Sequence, residues 1–456
     1  MILQFIDREY ELDGLEERYE SEGSDFFIIY GRRRIGKTTL AKEFSKDKPN
    51  FYFLSRKQDF SLEVERLRNE LAKEHDIYLP ETNSLSELFI NMVDKISTQE
   101  KFVFIIDEFP YWIEENKEIL SEMQYIWDEV LSEENIFLVL TGSSIGMMEK
   151  EVLDYSSPLY GRRTGQLKVD EIPIMKLSEF LPDYSQEDLI KTYGAIGAVP
   201  FYLKEFDPKK GFYDNIQGTF LNKLNILYEE AEILLREELR KPNTYFNIIK
   251  SIIDGATKLS EISSKSKISI TNINKYLNSL DRLDIIYKEY PVTEKPKQRN
   301  FLYKLKDNYF RFWITFVYPN MSQIEVNPDG VIDTVKEDYS HYMGRIFEDV
   351  CLKAVKRKYE YNKIGRWWHE ENEIDIVALD EKDNQIFLGE CKWSKDKVDI
   401  GVLKKLERKA AQVRWRNDSR EETFGLFSRS GYEKKLIDRS EGRDDIILHQ
   451  LEDILV

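Results

Sequence analysis

Cysteine is nearly absent: the 456 residues hold two, Cys351 and Cys391. Two thiols alone cannot build a disulfide framework or a zinc cluster. Long apolar runs are missing as well. Stretches such as Phe102–Ile106 and Ile136–Leu140 fall far below the ~20 residues that a membrane-spanning helix needs. The N-terminus turns acidic at Asp7 and Glu9, and no basic start leads into an apolar stretch. No signal peptide is read there, and a cytoplasmic protein with no membrane partner is expected. Positive charge is also in deficit. The 67 basic residues face 84 acidic ones, leaving −17, which argues against a protein that simply coats nucleic acid. Material for cores is plentiful: apolar residues are 41% and aromatics 13%, which excludes wholesale disorder. The length fits about three domains at roughly 150 residues each.

The acidic average hides a gradient. Residues 1–240 carry 29 basic and 48 acidic side chains, whereas 241–310 carry 13 and 7, and 391–420 carry 10 and 4. A domain's own field governs what it attracts over a Debye length of ~8 Å. DNA is therefore expected to meet residues 241–310 and 335–456.

From Phe26 to about Lys168, short apolar runs alternate with amphipathic stretches. The expected strands are Phe26–Tyr30, Phe51–Leu54, Phe102–Ile106 and Ile136–Leu140, with helices such as Leu62–Lys73 and Leu85–Ser97 between them. Buried runs of this length read as an α/β fold with a mostly parallel sheet covered on both faces. Residues 177–240 read as mainly helical. Next, two short helical segments flank Ser263–Lys267, and a longer helix places Ile270, Ile273, Leu277, Leu280 and Leu283 at helical spacing. Alternating Ile285–Tyr290, a Pro291–Pro296 turn and Phe301–Leu305 suggest a hairpin. Helix-turn-helix followed by a hairpin is the shape of a winged helix. The aromatic run Tyr309–Trp313 is read as core. Pro319, Asn320, Asn327, Pro328 and Gly330 mark a linker. A helix from Val335 to about Tyr359, three strands (364–369, 373–379, 385–392), a helix over 400–416 and a strand at 423–427 then make an α/β domain. The expected divisions are 1–176, 177–240, 241–318, a linker over 319–334, and 335–456.

Gly31-Arg32-Arg33-Arg34-Ile35-Gly36-Lys37-Thr38 follows an expected strand and opens a helix, with Thr39 next in line. The glycines let backbone N–H groups converge on phosphate oxygens. Lys37 adds charge at the β/γ phosphates, and Thr38 offers a hydroxyl to Mg²⁺. Phe102–Ile106 ends in Asp107 and Glu108, placed respectively to support Mg²⁺ and to polarise an attacking water. Leu138–Leu140 runs into Thr141, Gly142, Ser143 and Ser144. Ser143 is the candidate to sense the γ-phosphate, with Thr141 as its competitor and helix capping as the plain role of either. Arg162, in Leu159-Tyr160-Gly161-Arg162-Arg163, could act as an arginine finger, with Arg163 as its rival.

These motifs, with Phe5-Ile6-Asp7-Arg8-Glu9-Tyr10-Glu11-Leu12 before them and Gly197-Ala198-Val199-Pro200 after, resemble the archaeal-type P-loop ATPases, a branch of the AAA+ and STAND-like NTPases, over residues 1–320. The resemblance implies ATP binding and hydrolysis. It also implies that the segment holding Arg8 packs near the adenine, that the turn ending at Pro200 reaches the nucleotide from a helical lid, and that Arg162 is the finger, which would require a homo-oligomer.

In the last domain, Glu373-Ile374-Asp375-Ile376 and Gly389-Glu390-Cys391-Lys392 end neighbouring strands. Side-chain alternation puts Glu390 and Lys392 on one face and Cys391 on the other. Asp375 and Glu390 can converge on Mg²⁺ or Mn²⁺, with Glu348 as a third carboxylate and Lys392 stabilising a pentavalent phosphate. The competing role for Glu390 and Lys392 is a plain ion pair. Lys404, Lys405, Arg408, Lys409, Arg414 and Arg416 offer phosphate-binding charge, and Trp393 and Trp415 could stack on bases. The order resembles the PD-(D/E)xK nuclease fold over residues 335–456, in a DUF234-type domain, with Ile374 where a proline is usual. Two functions follow as expectations. One is an ATPase coupled to Mg²⁺-dependent DNA cleavage, and the other a nucleotide-switched DNA-binding or signalling protein whose nuclease-like domain is silent.

Overall fold

The computed structural model describes residues 6–96, 100–239, 241–294 and 300–455. Phe5, Ser97, Arg240 and Pro296, each part of an expected feature, lie outside them. The described residues form two compact units, 1–172 with 199–201, and 173–198 with 202–456.

The first unit is built on five strands: β1 (Asp25–Tyr30), β2 (Asn50–Leu54), β3 (Phe102–Asp107), β4 (Ile136–Gly142) and β5 (Gly165–Lys168). All are parallel, in the order β2-β3-β4-β1-β5. β1, β3 and β4 are buried along their whole length, as continuous apolar runs in a doubly covered parallel sheet should be. Phe26, Phe51, Phe53, Phe104 and Trp112 anchor one side of the core. The chain leaves β1 and crosses over β4 and β3 to reach β2, so the loop after β1 sits at the carboxyl edge where the strand order reverses. Ligands bind at that edge in open α/β sheets. A helix at Glu9–Glu20 and strand β5 were not separately read from the sequence.

In the second unit, helices Pro242–Ile253, Leu259–Ser266 and Ile270–Arg282 precede an antiparallel hairpin, β6 (Ile286–Glu289) and β7 (Leu302–Leu305). The polar Ser263–Ser266 stretch is the last turn of the middle helix, not a break. The chain turns at Lys267, whose φ of 58° is left-handed. Ile273, Leu277 and Leu280 are buried as the spacing predicts, but Ile270 is 53% exposed. Tyr309, Phe310, Phe312 and Trp313 are core, as expected.

The expected linker is helical. Met321–Val326 is one helix, and Pro328–Lys358 is a second of 31 residues. Asn327 and Pro328, read as chain breakers, are a start signal instead. The Asn327 side chain accepts from the Gly330 N–H at 3.1 Å, and Pro328 occupies the first helical position, where a missing N–H costs nothing. Tyr339 and Tyr342 of this helix donate to the carbonyls of Lys191 and Gly194, at 2.6 and 2.7 Å, on helix Gln186–Ile196.

The last sheet is β8 (Lys363–His369), β9 (Asn372–Asp380), β10 (Gln385–Lys392), β11 (Glu421–Ser428) and β12 (Ile446–His449), in the order β12-β11-β10-β9-β8. β8, β9 and β10 run antiparallel, and β10, β11 and β12 parallel. The long helix packs on β8–β10 and helix Ile400–Ala410 on β9–β11. Helix Lys434–Glu441 and β12 complete the domain beyond what the sequence pattern suggested.

His449 is buried in this domain, stacked on Phe427 at 4.5 Å. Burial, with Lys358 adding to it, pulls its pKa down to about 4. The folded state thus favours the neutral ring. The stability this contributes is fully present above pH 6.5 and is lost as pH falls from there towards 4, on the order of 3 kcal/mol. Urea midpoints of wild type and His449→Gln, compared at pH 7 and pH 4.5, should converge at the lower pH.

Candidate functional site

The loop after β1 is shaped by glycines. Gly31 and Gly36 have φ of +154° and +98°, conformations that side chains resist. A Cβ on Gly31 would stand 2.4 Å from the Val169 carbonyl oxygen. Lys37 is buried and donates to the Arg32 carbonyl at 3.0 Å, curling back over the loop. Arg32 lies 3.9 Å from Glu171, Arg33 donates to the Tyr111 hydroxyl at 3.4 Å, and Arg34 lies 4.0 Å above the Phe201 ring. Ile35 is buried, and Thr39 is exposed. Pro200 directly precedes Phe201 and belongs to this unit. Arg8 is buried and donates to the carbonyls of Ile35 and Asp170 at 3.2 and 2.7 Å, with Glu11 paired at 2.6 Å. Its guanidinium therefore braces the loop from within the protein.

Asp107, at the end of β3, is the hub. Its Oδ2 accepts from Thr38 Oγ1 at 2.7 Å and from the Tyr52 hydroxyl at 2.6 Å. Its Oδ1 accepts from the Thr141 hydroxyl and, at 3.1 Å, from the Glu108 N–H. Burial and the hydrogen bond to Asp107 push the Tyr52 pKa upward, so its proton stays on this contact. Tyr52 escaped the sequence reading because its position, alternating with buried Phe51 and Phe53, looks like an ordinary strand residue. Glu108 adopts a left-handed φ of 58°, a conformation of order 1 kcal/mol or more above the helical or extended wells. This turns its carboxylate to Ser143, whose N–H and hydroxyl both donate to Oε2, at 3.2 and 2.7 Å. Thr141 thus serves Asp107, and Ser143 meets Glu108. Arg162 forms a bidentate pair with Asp128 at 3.0–3.2 Å, and Arg163 donates to the Leu153 carbonyl. The Thr38 hydroxyl and Asp107 carboxylate, 2.7 Å apart, are oxygen donors of the kind that suits Mg²⁺.

At the second site, Asp375 accepts from the Cys391 N–H at 2.8 Å, which sets its carboxyl against the Glu390–Cys391 peptide. Burial and the neighbouring Glu390 push its pKa upward; burial and Asp375 do the same to Glu348. Glu390 is held by two lysines, Lys392 at 2.8 Å and Lys409 at 3.0 Å. Lys409 comes from the basic helix Ile400–Ala410, and only its place in a run of charge hinted at this contact. Glu348 pairs with Arg366 at 3.3 Å and Arg345 at 3.4 Å. Among the described residues no group of three or more acidic, histidine or cysteine side chains is arranged to hold a metal. Asp375 and Glu390 still offer two mutually repelling carboxylates, a set Mg²⁺ accepts when water fills its other positions. Cys391 is buried facing Cys351. Trp393 is not a stacking platform: it is buried against Phe347 and beneath Arg429. Trp415 is partly buried, packed on the core. Lys404, Lys405, Arg408, Arg414 and Arg416 are exposed.

Comparison with known proteins identifies a domain family over each half of the chain. Residues 5–206 match an ATPase domain predominantly from Archaea, and residues 313–418 match DUF234, described as Archaea bacterial proteins of unknown function. The uncharacterized protein MJECL04 of Methanocaldococcus jannaschii is 34% identical over 461 residues, covering 98% of this chain and 99% of that one. A second uncharacterized protein of that organism, MJ1637, is 22% identical over 76% of this chain and 70% of its own. Among solved structures, the Walker-type ATPase PABY2304 of Pyrococcus abyssi aligns with a TM-score of 0.51 at 21% identity, over 68% of this chain and 95% of that one. No helix among the described residues is long and apolar enough to cross a membrane.

Gly31→Ala combines the unfavourable φ with the clash at Val169. It should lower stability by about 2–4 kcal/mol and abolish retention on an ATP resin, read by thermal melting and pull-down.

Proposed function

Because the chain belongs to the family of MJECL04, with an archaeal-type P-loop ATPase domain and a DUF234 domain, we propose that it couples ATP hydrolysis to the handling of DNA by its second unit. The observation that carries the ATPase half is the Thr38–Asp107 and Glu108–Ser143 pairing at one sheet edge. Backbone N–H groups of Gly31–Thr38 would hold the phosphates and Lys37 would neutralise them, while Thr38 and Asp107 would hold Mg²⁺. That ion supplies charge at the β and γ oxygens when bound. Glu108 orients the attacking water and takes its proton. Ser143 fixes the Glu108 carboxylate and, on meeting a γ-phosphate, releases it for that task. Arg162 is the finger, acting in trans within a homo-oligomer once freed from Asp128.

For the second unit, we read helices 242–253, 259–266 and 270–282 with hairpin β6–β7 as a winged helix. Its third helix exposes Asn272, Asn274, Lys275 and Asn278, side chains suited to base edges and phosphates. The C-terminal sheet is read as a PD-(D/E)xK nuclease. Asp375 and Glu390 would hold Mg²⁺ or Mn²⁺, Lys392 would stabilise the phosphate as charge builds, and the basic helix would track the backbone. A specific observation favours the second reading, a silent nuclease-like domain that only binds DNA: both Glu390 oxygens are taken by lysines.

Two experiments test this reading. Glu108→Gln should retain ATP binding and lower kcat by a factor of about 100 or more, while Ser143→Ala should lower it by about 10 with KM little changed. Unchanged turnover in both variants overturns the assignment. Linear, single-stranded and branched DNA, offered with Mg²⁺ or Mn²⁺ and with or without ATP, should be cut by wild type but not by Asp375→Ala. No cleavage of any of them, with ATPase activity and salt-dependent DNA binding intact, establishes the silent-domain reading instead.

A further inference from the structure

A fully buried arginine joins the hairpin to the last sheet. Arg366 of β8 pairs with Glu289 of β6 at 2.7 Å, with Asp349 at 2.7 Å and with Glu348 at 3.3 Å. Arg345 makes a parallel set, to Glu289 at 3.0 Å, Glu348 at 3.4 Å and Glu373 at 3.1 Å. The Val292 N–H also donates to the Arg366 carbonyl at 2.9 Å, so the seam is fixed by backbone as well as charge. Each Glu289 oxygen is held by a different arginine, while a single Glu348 oxygen meets both. Two guanidiniums are therefore shared between two carboxylates. One carboxylate stands on the hairpin, the other beside Asp375. Lys304 of β7 faces the same cluster, where burial and Arg345 lower its pKa to about 8. Near-buried charges at these separations act on one another through an effective dielectric far below that of water, so a unit change at Glu289 is felt at Glu348.

We propose that Glu289 is a positioning residue for the carboxylate site: by drawing Arg345 and Arg366 away from Glu348, it sets the negative field that Glu348 adds beside Asp375, and so how strongly Asp375 and Glu390 attract a divalent cation. The inference rests on the cation-binding reading of that site. It makes the hairpin of the proposed DNA-binding element an electrical part of the proposed cleavage centre. Movement of β6 on nucleic acid would then redistribute both arginines.

The test is Mn²⁺ binding to the full-length protein without nucleotide, followed by loss of the free-ion EPR signal. Asp375→Asn identifies the component that belongs to this site. Glu289→Gln leaves both arginines to Glu348 and Asp349 and should weaken that component by about threefold or more, whereas Arg345→Met removes a competing cation and should tighten it by a similar factor. Opposite shifts support the inference, because a merely structural role would weaken both. Shifts of the same sign, or shifts below threefold with the Asp375-dependent component present, overturn it. Absence of any Asp375-dependent component overturns the cation site itself and the inference with it.

Discussion

Asp107 is where the nucleotide-binding unit is tied together. A carboxylate buried at the end of a strand is tolerable only if its oxygens are satisfied. Here the donors come from the loop after β1, from β2, from β4 and from its own neighbour's backbone. Three segments from elsewhere in the chain are thus registered against β3 by one side chain. The same requirement explains the strained backbone at Glu108. With Asp107 turned inward to meet its donors, the next residue must swing sharply to present its carboxylate to Ser143.

The two candidate sites solve the burial of negative charge differently. At the first, three hydroxyls and one backbone amide surround the buried Asp107 carboxylate, with no full charge among these four donors. At the second, full charges do the work: lysines on Glu390 and arginines on Glu348. Ion pairs in such settings are strong only when both partners stay in place. The second site is therefore more sensitive to the position of its surroundings than the first.

Much of this was legible in the sequence, for identifiable reasons. The parallel sheet announced itself because strands buried on both faces must be unbroken apolar runs, and the loop after β1 because glycines at 31 and 36 take positive φ values there. Four of the last domain's five strands were readable from turns and alternation, and β12 was not. What failed depended on context. Asn327 and Pro328 break chains in some settings and begin helices in others, and only the Asn327–Gly330 contact decides. Trp393 looked available for bases because exposure cannot be read from residue type. Tyr52, Arg366 and Lys409 act across long stretches of chain, and no local pattern reveals where a guanidinium or hydroxyl ends. Arg8 was expected near an adenine, and no local pattern foretold that its guanidinium meets the carbonyls of Ile35 and Asp170.

The 31-residue helix that replaces the expected linker spans about 46 Å and is pinned near its middle by Tyr339 and Tyr342 to helix Gln186–Ile196. Glu348 lies nine residues beyond Tyr339, about 14 Å along the axis. A stiff rod converts rotation at its fulcrum into displacement at its tip: a tilt of about 5° there would carry Glu348 roughly 1 Å. That distance is enough to separate a 3.3 Å ion pair, so a small rocking about helix Gln186–Ile196 would be read out at the carboxylates as an opened or closed contact.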